Sequence, residues 1–184
     1  MMPQADSELP LCRVGVFVDW QNCYRTARDA FGFHGRGLDG NVKPLLLASL
    51  LATNRPERGE LTKVRIYTGR ASQRHDPQTY AANRRQFAAW KASDPERVDL
   101  IARTLDYSLG RPREKGVDVA LAIDIVRTSL IQPEHEVAVV VSADTDLLPA
   151  LELLVAEGGE KSVEVASWTG EYWPLNPYRW PAVA

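Results

Sequence analysis

Val137-Ala138-Val139-Val140-Val141-Ser142-Ala143-Asp144-Thr145-Asp146 joins an unbroken apolar run to a pair of carboxylates. A run with no polar alternation marks a strand buried on both faces, and such strands sit at the centre of parallel sheets. A second run, Cys12-Arg13-Val14-Gly15-Val16-Phe17-Val18, ends the same way, at Asp19. Around these two runs, short β-rich segments alternate with amphipathic stretches. That is the sequence form of an α/β domain with a mainly parallel sheet.

Working outward, Gln21 to Phe31 reads as a helix closed by Gly32, and Phe33 to Asn41 as a Gly-rich loop. Val42 to Ala52 is a Leu-rich helix, followed by a turn from Asn54 to Gly59 and a strand from Lys63 to Thr68 that Gly69 ends. Asp76-Pro77 starts a helix running to Ser93, because Asp caps free N–H groups and Pro is tolerated in a first turn. A strand over Val98 to Leu105 leads into a basic loop, Ser108 to Gly116, and then a long helix from Val117 to Ile131, stopped near Pro133. After the central strand come a helix from Leu147 to Ala156, with Gly158-Gly159 beyond it, and a last strand from Ser162 to Ser167. Five strands are expected in all.

A length of 184 residues suits one domain, with residues 1–11 as a flexible N-terminus and 169–184 as an aromatic, Pro-rich tail pinned by its rings. With 45% hydrophobic and 25% charged residues the composition is that of an ordinary globular chain. No apolar run approaches the ~20 residues of a membrane helix, and no charged leader precedes an apolar core, so a cytoplasmic location is expected. Cys12 and Cys23 lack metal-ligand spacing and read as small packed hydrophobes. His34, His75 and His135 likewise show no ligand spacing and read as surface or loop residues.

Charge is segregated along the chain. Residues 61–115 carry 12 Lys and Arg against 6 Asp and Glu, whereas residues 116–184 carry 3 against 11. The basic middle suits a polyanion and the acidic second half a cation.

In open α/β sheets, ligands bind beyond the carboxyl ends of the strands. Both of the most apolar strands end in acid: Asp19 after one, Asp144 and Asp146 after the other. If these strands are neighbours, their carboxylates converge, and like charges ~4 Å apart repel by about 4 kcal/mol at an effective dielectric of 20. A cation or raised pKa values must then relieve the repulsion. Oxygen ligands with no His or Cys among them favour Mg²⁺ or Mn²⁺ over zinc. Asp118, in Lys115-Gly116-Val117-Asp118, is a fourth candidate; a first-turn Asp is also favoured by the helix dipole alone. Asp124 follows it by six positions, about 240° around a helix, and is expected to face outward, away from the site.

The segment Phe17-Val18-Asp19-Trp20-Gln21-Asn22 resembles the Asp-x-x-Asn opening of the NYN family, a branch of the PIN-like nucleases. Lys115-Gly116-Val117-Asp118-Val119-Ala120-Leu121 is similar to that family's Lys-Gly-Val-Asp motif, and Ser142-Ala143-Asp144-Thr145-Asp146 to its Ser-Gly-Asp-x-Asp motif. Ala143 departs from the usual Gly without removing a ligand. The resemblance implies a three-layer α/β/α Rossmann-like PIN fold with the first strand central and strand order 3-2-1-4-5. It also implies a metal-dependent ribonuclease acting on RNA, with Asp19, Asp118, Asp144 and Asp146 as metal ligands. Asn22 and Ser142 would then orient the acidic cluster.

Phosphate contacts are expected from the basic middle, with Arg70, Arg84, Arg85 and Lys115 as candidates. Trp20, beside Asp19, is placed either to stack on a base or to pack over the sheet. The apolar surface of the Val42 to Ala52 helix would permit a homodimer. A dehalogenase-type phosphatase needs a second Asp two residues after the first, where Gln21 stands, and a Toprim site needs Glu where Asp19 stands. The remaining rival is a PIN-like domain kept as an RNA-binding or protein-interaction module without catalysis.

Overall fold

The structure, a computed structural model, describes residues 11–32, 41–159 and 162–168. The expected N-terminal segment before residue 11, most of the 33–41 loop with His34, and the tail 169–184 lie outside the described residues. In chain order the elements are β1 (Cys12–Asp19), α1 (Trp20–Ala30), α2 (Pro44–Thr53), β2 (Gly59–Arg70), α3 (Pro77–Ser93), β3 (Val98–Thr104), α4 (Val117–Val126), β4 (Val137–Val141), α5 (Leu148–Gly158) and β5 (Val163–Ala166). The sheet has five strands in the order β3-β2-β1-β4-β5. Every pairing is parallel, so all five carboxyl ends point the same way.

The two apolar runs are neighbours, with Val14 opposite Val137 and Val18 opposite Val141. Side chains alternate across the sheet. Val14, Val16, Val18, Val64 and Ile66 pack with Trp20 and Cys23 of α1, Ala48 and Ala52 of α2, and Phe87 and Trp90 of α3. Phe17, Tyr67, Ala138 and Val140 face the other way, against Val117, Leu121 and Ile125 of α4 and Leu151 and Leu154 of α5. Helices therefore cover both faces, as the sheet's parallel strands require.

Several boundaries move from their sequence positions for identifiable reasons. β2 begins at Gly59 and runs through Gly69 to Arg70, because Leu61 is buried opposite Val14 and the Thr62 hydroxyl donates to the Val14 carbonyl at 3.0 Å where the pairing shifts register. α1 starts one residue earlier than expected because Asp19 is its cap, accepting from the Asn22 N–H at 3.2 Å. α2 starts at Pro44 rather than Val42, with Pro in the first turn. The long helix after Gly116 is α-helical only to Val126 and then widens into a π-helical turn over residues 127–131. A short 3₁₀ turn, Thr145–Leu147, precedes α5, which runs on to Gly158. The Asp76 cap of α3 forms as expected, with its carboxylate accepting from the Thr79 N–H at 2.9 Å.

Of the two placements open to Trp20 the structure shows packing, and two other side-chain readings, those of His135 and Asp124, are corrected. Trp20 is buried against Trp90 and Tyr24 and is closed to a base. His135 is buried rather than on the surface: it packs edge-on to Phe17, and its Nε2 lies 2.9 Å from the Ser129 hydroxyl. Burial and the nearby Arg65 charge hold its pKa down to about 4. Asp124 is half-buried, accepting from the Tyr67 hydroxyl at 2.9 Å and pairing with Arg127 at 2.8 Å. Cys23 is buried, as expected of a packed thiol, whereas Cys12 is half-buried at the sheet margin. On α2, the surface expected to permit a homodimer, Leu46 and Leu50 stay 56% and 49% exposed. No helix of the described residues is long and apolar enough to cross a membrane.

Candidate metal centre

The site is built at the carboxyl end of β1 and β4, where the parallel register delivers Asp19 and Ser142 side by side. Asp19 is only 3% exposed. Both of its oxygens are engaged: Oδ1 accepts from the Asn22 N–H at 3.2 Å and Oδ2 from the Ser142 hydroxyl at 3.1 Å. The Ser142 oxygen also accepts from the Asp144 N–H at 3.1 Å, and the Asn22 side-chain oxygen accepts from the Ala143 N–H at 2.8 Å. Asn22 and Ser142 thus lock the ends of β1 and β4 together. Asp144 in turn caps the 3₁₀ turn, its Oδ1 accepting from the Asp146 N–H at 3.0 Å.

Asp118 arrives from the opposite side, in the first turn of α4. The helix opens at Gly116, whose φ of 71° is left-handed and suits a residue without a side chain. Arg103, at the end of β3, fixes this turn by donating from Nη1 to the Gly116 carbonyl at 3.2 Å. The result is that one carboxylate oxygen each from Asp19, Asp118 and Asp144 lies within 4.8 Å of the other two. Asp146 is exposed and outside this trio, but close enough for its charge to act on Asp118.

The electrostatics are those of crowded acids. Burial pushes the Asp19 carboxyl up from 3.8 to about 6, opposed by its two hydrogen bonds and assisted by the charges of Asp118 and Glu114. Asp118 is also pushed up, first by burial and then by Asp144 and Asp146. Among the described residues, no ion pair includes Asp19, Asp118, Asp144 or Asp146. Repulsion of this kind is relieved by protons or by a cation. A set of carboxylate oxygens with no nitrogen or sulfur fits a hard divalent ion.

Glu114 is a site residue that the sequence reading missed. It is half-buried, accepts from the Gly69 N–H at the end of β2, and is held above its ordinary pKa by burial and by the Asp118 charge, with Arg25 opposing. The available signal was its position, one acid among the basic residues Arg111, Arg113 and Lys115, four residues before Asp118. Of the expected phosphate contacts, Lys115 is exposed directly before the site helix. Arg70 is half-buried, its guanidinium over the Tyr80 ring and 3.4 Å from the Thr104 hydroxyl. Arg84 and Arg85 are exposed on α3 beside a shallow hollow with Tyr80, and no contact joins them to the acidic trio.

No curated protein matches the chain. A crystal structure of a protein of unknown function from Vibrio parahaemolyticus is similar in fold, with 20% identity over 88% of this chain and 86% of that one and a TM-score of 0.56. The family model of the NYN domain matches residues 13–176, which takes in β1, the start of α4 and the end of β4, where the acidic trio is assembled. The chain therefore belongs to the NYN domain family, within the PIN-like nucleases.

Proposed function

We propose that this protein is a metal-dependent endoribonuclease that hydrolyses RNA phosphodiesters, single-stranded or structured, at the Asp19, Asp118 and Asp144 cluster with Mg²⁺ or Mn²⁺. The observation that carries the reading is the approach of three carboxylate oxygens to within 4.8 Å, one of them on a residue 3% exposed, with no ion pair to them among the described residues. A fold that keeps such a cluster carries an electrostatic cost that a cation would remove.

Asp19, Asp118 and Asp144 would hold the ion, with Asp146 beside them on the exposed rim. When bound, such a cation supplies Lewis acidity toward phosphoryl oxygens and makes water acidic enough to attack near neutral pH. The chain's own residues fix the geometry. The Ser142 hydroxyl bridges Asp19 and the Asp144 backbone, tying together two of the three residues that would hold the ion. Asn22 adds a second tie between the same strands. Lys115 and Arg70 would neutralise the phosphates flanking the cut, with Arg84 and Arg85 further out; such contacts set affinity without reading sequence. A cytoplasmic setting belongs to the same reading.

The test is cleavage of an end-labelled single-stranded RNA in Mn²⁺, Mg²⁺ and EDTA. Product is expected in either ion and none in EDTA, and Asp144→Asn should abolish it while the circular dichroism spectrum is unchanged. Equal cleavage by the variant would place the activity elsewhere. Micromolar RNA association with no product in any divalent ion would identify a binding module instead.

A further inference from the structure

At the same end of the sheet, two loops bring together an aromatic pair that the acidic site does not use. His75 follows β2 and Tyr107 follows β3, and their rings stack 4.5 Å apart at an interplanar angle of 12°. Both are anchored to one residue. The Tyr107 hydroxyl accepts from the Ser72 N–H at 3.1 Å, and His75 Nδ1 lies 3.1 Å from the Ser72 hydroxyl. Ser72 is itself held, since its carbonyl accepts from the Asp76 N–H at 2.8 Å at the start of α3. The β3–α4 loop that carries Tyr107 is pinned as a small hairpin by the pairing of Asp106 with Arg113. These rings are therefore fixed in place before any ligand arrives.

Tyr107 is half-buried and His75 exposed, so one face of the imidazole rests on the phenol and the other is turned away from it. Arg74 and Arg111, on the same two loops, are exposed. β2 ends beside β1, and the Gly69 N–H reaches Glu114 next to the acidic trio, so the stack and the carboxylates share one edge of the molecule. A rigid ring pair flanked by cations is the chemistry that grips unpaired bases, because every base has a π-face and its backbone a negative charge.

We propose that the His75–Tyr107 stack is a nucleobase platform, on which one unpaired base of single-stranded RNA stacks against the free face of His75 while Arg74 and Arg111 take the neighbouring phosphates. This rests on the ribonuclease reading for the identity of the polymer, and it adds a subsite that would favour single strands over duplex.

The test uses the full chain carrying Asp144→Asn, so that binding is measured without turnover, and fluorescence anisotropy of a labelled single-stranded RNA. Adding His75→Ala should weaken binding about tenfold, the size of one lost base stack, whereas His75→Phe should keep it. A labelled abasic oligomer and a duplex of the same sequence should bind His75→Ala and the parent alike. The platform is overturned by equal RNA affinity in His75→Ala, by a Phe variant as weak as the Ala variant, by the same loss on the abasic oligomer, or by no RNA binding to the parent. Cleavage in Mn²⁺, measured in parallel without Asp144→Asn, separates the two readings. Cleavage with no stacking effect removes only the platform, and a stacking effect with no cleavage removes only the nuclease.

Discussion

Asp19 shows how one side chain can serve the site and burden the fold. Its carboxyl is displaced upward from 3.8 to about 6, with burial as the largest cause. Below the unfolded value both states hold the proton, and the group costs nothing. As pH rises from there, the unfolded chain ionises first, so the native state binds more protons and stability falls. The loss is complete once pH passes about 6, and amounts to about 3 kcal/mol from this group alone. Asp19→Asn removes the charge but keeps an oxygen to accept from Asn22. Buried His135, held down to about 4, adds an opposite slope to both proteins over the same range, so in EDTA the urea-unfolding free energy of Asp19→Asn minus that of wild type should grow in the variant's favour between about pH 4 and 7. The same variant should be inactive. A difference between the two proteins that did not change with pH would mean that Asp19 is not held in a desolvated state.

At the scale of the element, α4 does two jobs with two acids. Its first turn delivers Asp118 to the trio, and two turns later Asp124 binds the Tyr67 hydroxyl on β2, which fixes the helix to the sheet. Asp124→Ala leaves a buried phenol without its acceptor and breaks the ion pair with Arg127, and should cost about 1–3 kcal/mol of stability. Chemical denaturation should register that loss while the folded protein still cleaves RNA; loss of cleavage at full stability would instead make Asp124 part of the site. The angular argument from sequence was right that Asp124 does not join Asp118, and wrong in sending it outward, because helix geometry alone does not reveal a strand tyrosine opposite. The extra length of β2 was hidden for a similar reason. Gly59, Glu60 and Thr62 look like turn residues, and only the register shift beside Val14 gives them partners. The ends of β1 and β4 were legible because an apolar run closing in Asp leaves few alternatives in a parallel sheet.

The whole molecule gathers acids from β1, the start of α4 and the end of β4 onto one edge, so its stability without a cation should be below what its core would give. The motif residues of the trio could be read from sequence because each sits at an element boundary. Glu114 could not, because its place depends on how a loop folds back against Gly69. Any ion that binds the folded trio and not the unfolded chain stabilises the fold by mass action, by about 2.7 kcal/mol at a hundredfold excess over Kd. For a chain of this size each kcal/mol moves the thermal midpoint by about 2–4 °C, so saturating Mn²⁺ should raise Tm by roughly 5–10 °C over EDTA. Asp118→Asn should start from a higher Tm in EDTA, since one repelling charge is gone, and respond less to Mn²⁺. Differential scanning fluorimetry across a Mn²⁺ titration reads both quantities independently of RNA. If wild type and Asp118→Asn shifted equally, the ion would be binding elsewhere. If neither shifted, the repulsion among the carboxylates would be relieved by protons rather than by metal, and the acidic edge would lose its claim to be a cation site.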